Sequence, residues 1–480
     1  MTPDQSTLIA AISGRFGPAA VVTDVDRIAP WTTDWRGRYH GAAPAILAPA
    51  STEQVAAIVA LAGERRVPLV PQGGNTSMVG GATPPADGSA LILSLRRLNH
   101  IRDLSAIDRT ATVEAGVILQ ILHEAAATSG LRFPLTLGAR GGATIGGLVS
   151  TNAGGTQVLR HGTMRALVLG LEAVLPDGSV HDGLAALRKD NRGYDLDQLL
   201  VGAEGTIGIV TAARLRLLPA VTARAVAWAG LATPAAALDM LRAIDGPLIE
   251  SFEIIPGESL GRVVRHLPGA RAPLQGEHRW HVLIEAVAAS PEDRDPHALL
   301  TDALAIGADR GWIEDATIST SEAQAEAFWG LRDGLSAAER AAGPAVQHDI
   351  AVAVDAMPRF LVDTAAAVEA RFPGTHANGF GHLGDGNVHF HVRAPEGADP
   401  ASWYRDDAPG ISRFVHDAVV AAGGTISAEH GIGQMKLGEL ERVGPASRLH
   451  ALRAIKHALD PYGILNPGKL VTLAKPAVDQ

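Results

Sequence analysis

Three histidines, His382, His389 and His391, fall close together in the chain, and an adjacent Glu429-His430 pair comes further on. Two histidines and a carboxylate, in a chain without cysteine, make a catalytic type of metal site. It keeps coordination positions open and suits Zn²⁺ or another divalent ion. His389 and His391 flank Phe390, so a strand would turn both to one face. With 18 histidines present, any one taken alone is an ordinary core or surface residue. A local triplet that begins in the glycine-rich loop, with His382 inside it and His389 and His391 just beyond, is not explained that way.

The glycines make a second kind of candidate. Pro71-Gln72-Gly73-Gly74-Asn75-Thr76-Ser77 comes directly after the short strand Val67–Val70 and presents consecutive amides with small side chains. Such a nest binds phosphate or pyrophosphate. The cluster from Leu137 to Gly155 holds Gly138, Gly141, Gly142, Gly146, Gly147, Gly154 and Gly155. That much glycine costs backbone entropy, and a ligand approaching the backbone accounts for it. No Walker A pattern occurs. The one G-x-G-x-x-G, Gly379 to Gly384, precedes a strand rather than a helix and lacks the Rossmann context.

Elements must position these groups. Ser51-Thr52-Glu53-Gln54 reads as a capping box, with Val55, Ile58, Val59 and Ala62 at helical spacing up to Arg65-Arg66. Leu91–Leu95 and Thr110–Glu114 read as strands, and Val168–Leu175 with the Pro176-Asp177-Gly178 turn as a hairpin. Gly202–Val210 leads into an alternating strand Arg214–Leu218 that Pro219 should end. Beyond about 220, helical patterns alternate with strands such as Ser251–Ile255 and Trp280–Ala286, and a helix is expected near 446–459. The expected organisation is a lead-in (1–41) whose Trp31, Trp35 and Tyr39 pack on the first domain, a cofactor domain (42–220), a second domain (221–425) and a C-terminal segment (426–480).

Composition narrows the function classes. The chain has 480 residues, 46% hydrophobic and 19% charged, enough for more than one core. A net charge of −10 argues against binding nucleic acid through its phosphates. The absence of cysteine excludes disulfides, thiolate zinc, iron–sulfur clusters, cysteine nucleophiles and cysteinyl flavin. No signal peptide or membrane-length apolar run is read, so a cytoplasmic enzyme is expected.

Taken in order, Pro71–Thr76, Ile145-Gly146-Gly147…Thr151–Gly155 and Gly202–Gly208 resemble the FAD domain of the vanillyl-alcohol oxidase (PCMH) type. Gly381–His389, Ser427–Gly431 and Leu465-Asn466-Pro467-Gly468-Lys469 narrow this resemblance. It points to the FAD-linked D-2-hydroxyacid dehydrogenases, which include D-lactate dehydrogenase, D-2-hydroxyglutarate dehydrogenase and the glycolate oxidase flavin subunit. It covers roughly residues 40–470.

The resemblance implies an α+β fold. A PCMH-type FAD-binding domain of two α/β subdomains would be joined to an α+β substrate (cap) domain with an antiparallel sheet, and a C-terminal segment would return to the flavin. It implies that Pro71, Gly73, Gly74, Asn75, Thr76 and Ser77 hold the FAD pyrophosphate, with Gly80 and Gly81 nearby. Gly138, Thr144, Ile145, Gly147, Asn152 and Gly154 would run along the ribityl chain and isoalloxazine. Glu204, Gly205, Gly208 and Ile209 would line the adenosine end, and Asn466 would approach the ring. Covalent members often carry histidine where this chain has Asn75, so the FAD is expected to be dissociable. His382, His389 and Glu429 would be the metal ligands and His430 the general base. Arg332, with Ser336 one turn on, would hold the substrate carboxylate, against the plain alternative of a solvated helix arginine. Two departures from the D-2-hydroxyglutarate enzymes stand out. Their usual asparagine is His391, which could donate to substrate or ligate the metal, and their usual lysine is Gln347.

The implied reaction oxidises a D-2-hydroxy acid, of the D-2-hydroxyglutarate or D-lactate type, to the 2-oxo acid, with hydride going to flavin N5. An external acceptor such as an electron-transfer flavoprotein, quinone, cytochrome or oxygen would reoxidise the flavin. A homodimer is the candidate assembly, with no nucleic-acid partner and no transmembrane segment. The competing readings are a glycolate oxidase-like flavin subunit that needs partners and, further off, a His/His/Glu metallohydrolase.

Overall fold

The computed structural model describes residues 1–185, 187, 189–244 and 246–473. The chain divides into two compact units. The first comprises Met1–Gly154, Gly162–Pro219 and Glu429–Gln480, and the second Gly155–His161 and Ala220–Ala428.

The first unit contains two main sheets. β1 (Val21–Val22), β2 (Ile46–Leu47), β3 (Leu69–Gln72) and β4 (Leu91–Ser94) form a sheet in the order β1-β2-β4-β3, with β2, β4 and β3 parallel. β5 (Ile101–Ser105), β6 (Thr110–Glu114), β8 (Val168–Val174), β9 (Val180–Asp182) and β10 (Ile209–Arg216) form an antiparallel sheet ordered β5-β6-β10-β8-β9. β7 (Leu131–Arg132) pairs with β11 (Leu218–Pro219). The strand expected at Arg214–Leu218 begins instead at Ile209. It pauses at Leu217, and Pro219 is the last paired residue, facing Leu131 at an edge where its missing N–H costs nothing. The helix Thr52–Glu64 is capped by Ser51, whose side chain accepts from the Gln54 amide. The Gln54 side chain reaches back to the Ala50 amide rather than to Ser51, so the box closes one residue early.

The first residues pack within the first unit. Helix Pro3–Phe16 buries Leu8 and Ile12 among Val55, Ile58, Leu69 and Leu91, because its apolar positions recur at helical spacing. Burying each such side chain contributes about 1.5–3 kcal/mol. Arg96 lies 3.7 Å over the Trp31 ring, whereas Trp35 is 54% exposed. The C-terminal segment returns to the first sheet, where the Leu69 amide donates to Ile464 and the Asn466 amide to Leu69.

The second unit is built on one seven-stranded antiparallel sheet. Its strands are β12 (Ala223–Leu231), β13 (Ile249–Pro256), β14 (Trp280–Ala288), β15 (Asp315–Ile318), β16 (Ala345–Ala351), β17 (His376–His382) and β18 (Asn387–Arg393), in the order β15-β12-β14-β13-β17-β18-β16. Period-two alternation divides the side chains between its faces. One face, with Ile254, Ile284, Ile350, Val388, Phe390 and Val392, packs on helices Pro234–Ile244, Pro296–Asp309, Met357–Arg371 and Ala408–Ala421. The other buries Val226, Trp228, Ile255, Leu283 and Phe380 under helices Gly257–His266, Glu322–Asp333 and Leu335–Ala341. Residues 155–161 fall within the span expected for the cofactor domain but belong to this unit. Leu159 packs on its core, Arg160 pairs with Glu250 at 2.9 Å, and the Thr156 carbonyl accepts from Ser251 Oγ at 2.7 Å.

Candidate active site

In the first unit, the loop Gly73–Ser77 leaves the end of β3 and lies against residues 142–144. A Cβ on Gly73 would fall 2.1 Å from Thr144 Oγ1, and one on Gly74 would fall 1.8 Å from the Gly142 carbonyl oxygen. Only glycine permits that approach. Asn75 takes the left-handed conformation (φ +54) and donates from Nδ2 to the Thr33 carbonyl at 2.9 Å. Ser77 Oγ accepts from the Gly81 amide at 3.1 Å and thereby closes the loop. The amides from Gly73 to Ser77 find no protein acceptor among the described residues.

Several of the other expected cofactor residues build the walls rather than the opening. Ile145 begins the helix Ile145–Thr151 and donates its amide to Val117. Asn152 caps that helix at φ +50, with Oδ1 accepting from the Arg165 amide. Gly205 admits Pro71, Gly208 admits Leu200, and Ile209 is buried at the start of β10. Glu204 is buried. Its carboxylate accepts from the Ile432 and Gly433 amides, both at 2.7 Å, and so fastens the C-terminal segment to this loop. Burial raises its pKa, against those two amides and the charges of Lys436 and Lys469. Asn466 donates to the carbonyls of Gly81 (3.0 Å) and Glu204 (2.7 Å) and so ties both loops to the C-terminal segment.

These residues fit an extended phosphate-bearing cofactor such as FAD. The Gly73–Ser77 amides are unclaimed, Thr144 Oγ1 and Asn466 Oδ1 are buried without partners, and a Cβ on Gly138 or Gly141 would meet open space.

In the second unit, polar side chains gather on the face of the sheet that carries Phe380, along β17, β18 and β16. Directly opposed pairs share a face, and the register sets Phe380 against His389 and His389 against Asp349. The next row sets Asn378 against His391 and His391 against Gln347. Phe380 packs its ring on both histidines, with centroids 5.4 Å from His389 and 5.1 Å from His391. The rings of His382 and His389 are 5.5 Å apart. Glu253 stands opposite His382 on β13, where its Oε1 lies 2.6 Å from His382 Nδ1. That carboxylate–imidazole pair turns Nε2 outward, as a metal-ligating histidine requires.

Arg332 is no solvated helix arginine. Its guanidinium bonds Glu253 Oε2 at 2.9 Å and lies 3.1 Å from His382 Nε2. Burial raises the Glu253 pKa, but Arg332 and His382 outweigh it and hold the carboxyl down to about 2. Ser336 lies on the next helical segment. The helix carrying Arg332 stops at Asp333, and Ser336 sits exposed on the separate helix Leu335–Ala341. Gly334, between the two, keeps helical backbone and donates its amide to the Gly330 carbonyl at 3.0 Å, while a Cβ there would fall 2.7 Å from Leu267. Gln347 is half-buried with Nε2 unpartnered. Glu429 and His430, both half-buried, open the last segment of the first unit.

Sequence reasoning missed Glu253 and the buried Glu339, which accepts from Ser259, Arg262, Asn378 and Arg393. The signal for Glu253 was present, since an acid stands inside the apolar strand Phe252-Glu253-Ile254-Ile255.

A phosphate-ready glycine loop in one unit and a histidine–arginine sheet face in the other define a class, the flavin-dependent oxidoreductases. The FAD binding domain model matches residues 43–183, and the model for the C-terminal domain of FAD linked oxidases matches 221–470. The chain belongs to the FAD-linked oxidases, as an FAD-dependent D-2-hydroxyacid dehydrogenase. It is 38% identical over 438 residues to D-2-hydroxyglutarate dehydrogenase of Xanthomonas citri pv. viticola, covering 91% of each chain. It is 35% identical to the mitochondrial D-2-hydroxyglutarate dehydrogenase of Arabidopsis thaliana, over 95% of this chain and 80% of that one. Its fold is similar to that of p-cresol methylhydroxylase, with TM-score 0.75, 15% identity and coverage of 98% and 97%. No helix among the described residues is long and apolar enough to cross a membrane.

Proposed function

We propose that this chain oxidises D-2-hydroxyglutarate, and less selectively other D-2-hydroxy acids such as D-lactate, to the 2-oxo acid. It would do so with dissociable FAD and a divalent ion held by His382, His389 and Glu429. The observation carrying this reading is the second unit's polar sheet face, where a carboxylate-gripping arginine lies 3.1 Å from a histidine with an outward Nε2. When bound, FAD takes the hydride from the substrate's Cα and the metal lowers the pKa of its hydroxyl.

The chain's own groups do the rest. Arg332 orients the substrate through charge-assisted hydrogen bonds to carboxylate. His430 accepts the hydroxyl proton. His391 and Gln347, one strand row beyond His389, receive the substrate's distal end, since two residues along a strand span about 6.7 Å. With no nicotinamide fingerprint in the sequence, the electrons leave to an external acceptor. The similarity to enzymes named D-2-hydroxyglutarate dehydrogenases supports the choice of substrate.

A dye-coupled screen of D-2-hydroxyglutarate, D-lactate, D-malate and glycolate tests this, run before and after chelation. D-2-hydroxyglutarate should be the best substrate, and its turnover should disappear with the metal and return with Zn²⁺. Full activity after metal removal would reject the metal. Turnover of none of the four acids would reject the substrate class.

A further inference from the structure

Glu253 has no role in the family resemblance or in the proposed reaction, yet it is 1% exposed at the centre of the second unit's polar face. Its two oxygens are divided between two neighbours. Oε1 lies 2.6 Å from His382 Nδ1, and Oε2 accepts from Arg332 Nε and Nη2, both at 2.9 Å. We infer that Glu253 is the positioning residue that sets the metal-binding tautomer of His382 and, with the same carboxylate, the substrate-binding pose of Arg332. This rests on the reading of His382 as a metal ligand and deepens it.

The argument is one of donors and acceptors. An ionised carboxylate only accepts, so its bond to the ring places a proton on Nδ1 and leaves the lone pair on Nε2. Arg332 does not compete for that lone pair. Its Nη2 is almost equidistant from the two ring nitrogens, at 3.3 and 3.1 Å, and therefore lies over the ring rather than in its plane. The strand register adds rigidity, because Glu253 faces His382 directly across β13 and β17. A single side chain thus fixes the spacing between the metal ligand and the carboxylate clamp.

Glutamine cannot replace it. An amide accepts at one end and donates at the other. Turned one way, it points N–H groups at the Arg332 guanidinium, which accepts nothing. Turned the other way, it donates to Nδ1 and moves the imidazole proton to Nε2, the position the metal needs. Either orientation breaks one of the two functions.

The test uses the full-length FAD-loaded protein, stripped of metal and titrated with Zn²⁺ against a chelator. Glu253→Gln should keep its flavin and lose roughly 10–100-fold in Zn²⁺ affinity. Its KM for D-2-hydroxyglutarate, measured at saturating Zn²⁺, should rise more than its kcat falls. Glu253→Asp, which keeps two accepting oxygens, should recover part of both. Zn²⁺ affinity and KM both within twofold of wild type in flavin-loaded Glu253→Gln overturn the inference and leave the metal reading standing. A wild-type protein that takes up no divalent ion overturns both. If Glu253→Gln does not fold, the wild-type protein decides by ¹⁵N-histidine NMR, with the His382 signal assigned from its loss in His382→Gln. A proton on Nδ1 supports the inference, and a proton on Nε2 overturns it.

Discussion

Gln347 on β16 and His391 on β18 stand directly opposite each other in the antiparallel ladder. They are the two departures from the D-2-hydroxyglutarate enzymes that the resemblance singled out, and they form one cross-strand pair. Glutamine for lysine removes a charge, worth at most about 4 kcal/mol at 4 Å and an effective dielectric of 20, and less where water enters. Gln347→Lys should therefore raise kcat/KM for D-2-hydroxyglutarate relative to D-lactate. Adding His391→Asn should alter the ratio non-additively, because contacting residues couple. An unchanged ratio in the single variant would place Gln347 outside the pocket.

Flavin retention should depend on the Gly73-Gly74 contact. A methyl at Gly74 would strike the Gly142 carbonyl at 1.8 Å, so Gly74→Ala must push the two loops apart. Purified wild-type protein should be yellow and release its flavin on acid treatment, as Asn75 offers no covalent link. Gly74→Ala should show a several-fold lower flavin-to-protein absorbance ratio. Colour that stays with precipitated wild-type protein would contradict the dissociable cofactor.

The histidines should separate by phenotype. His389→Ala is expected to lose metal and turnover while keeping FAD, since β18 belongs to the other unit from the glycine loops. His430→Ala should retain flavin and metal and lose roughly 10²–10⁴-fold in rate. Metal content by elemental analysis, with stopped-flow flavin reduction, distinguishes the two.

Glu258 and His376 should lend the second unit a pH-limited stability. They lie 2.8 Å apart. Burial raises the Glu258 pKa, but His376, Asn378 and Arg262 outweigh it and hold it down to about 2. Its contribution is present above the unfolded value of about 4.3 and is lost as pH falls toward the folded one. The His376 pKa is raised, first by its bond to Glu258. That contribution is present below about 6.5 and is lost as pH rises through the folded value. A Glu258→Gln, His376→Ala double-mutant cycle in Tm should therefore show its largest coupling between roughly pH 4.5 and 6.5. A coupling that does not vary with pH would refute the pair.

Lys456 should be the C-terminal segment's most sensitive residue. Its buried Nζ donates to the carbonyls of Thr206 (2.6 Å) and Leu465 (2.9 Å) and pairs with Asp460 at 2.5 Å. Lys456→Met strands a buried carboxylate and should cost about 3–5 kcal/mol in urea unfolding. Adding Asp460→Asn should recover part of that loss.

Much of the chain was legible from local pattern. The helix after Ser51, the strand Thr110–Glu114 and the hairpin at Val168 arise from capping, alternation and turn residues, whose causes lie within a few positions. The glycine loops were legible as places of close backbone approach, which at Gly73 and Gly74 is an approach to Thr144 and Gly142 of the chain itself. His389 and His391 share a face because strand periodicity alone requires it.

The features beyond the reach of the sequence depend on register between distant strands. Nothing local says that Glu253 will face His382, that Gln347 will face His391, or that Glu204 will spend its carboxylate on the amides of Ile432 and Gly433. Nor does a helical pattern through Arg332 reveal that its guanidinium will meet Glu253 on a distant strand. The sequence determined which residues could do the chemistry, since side-chain type and periodicity are local properties. Tertiary structure decided which of them meet, because strand pairing and helix packing are set by cores assembled from residues far apart in the chain.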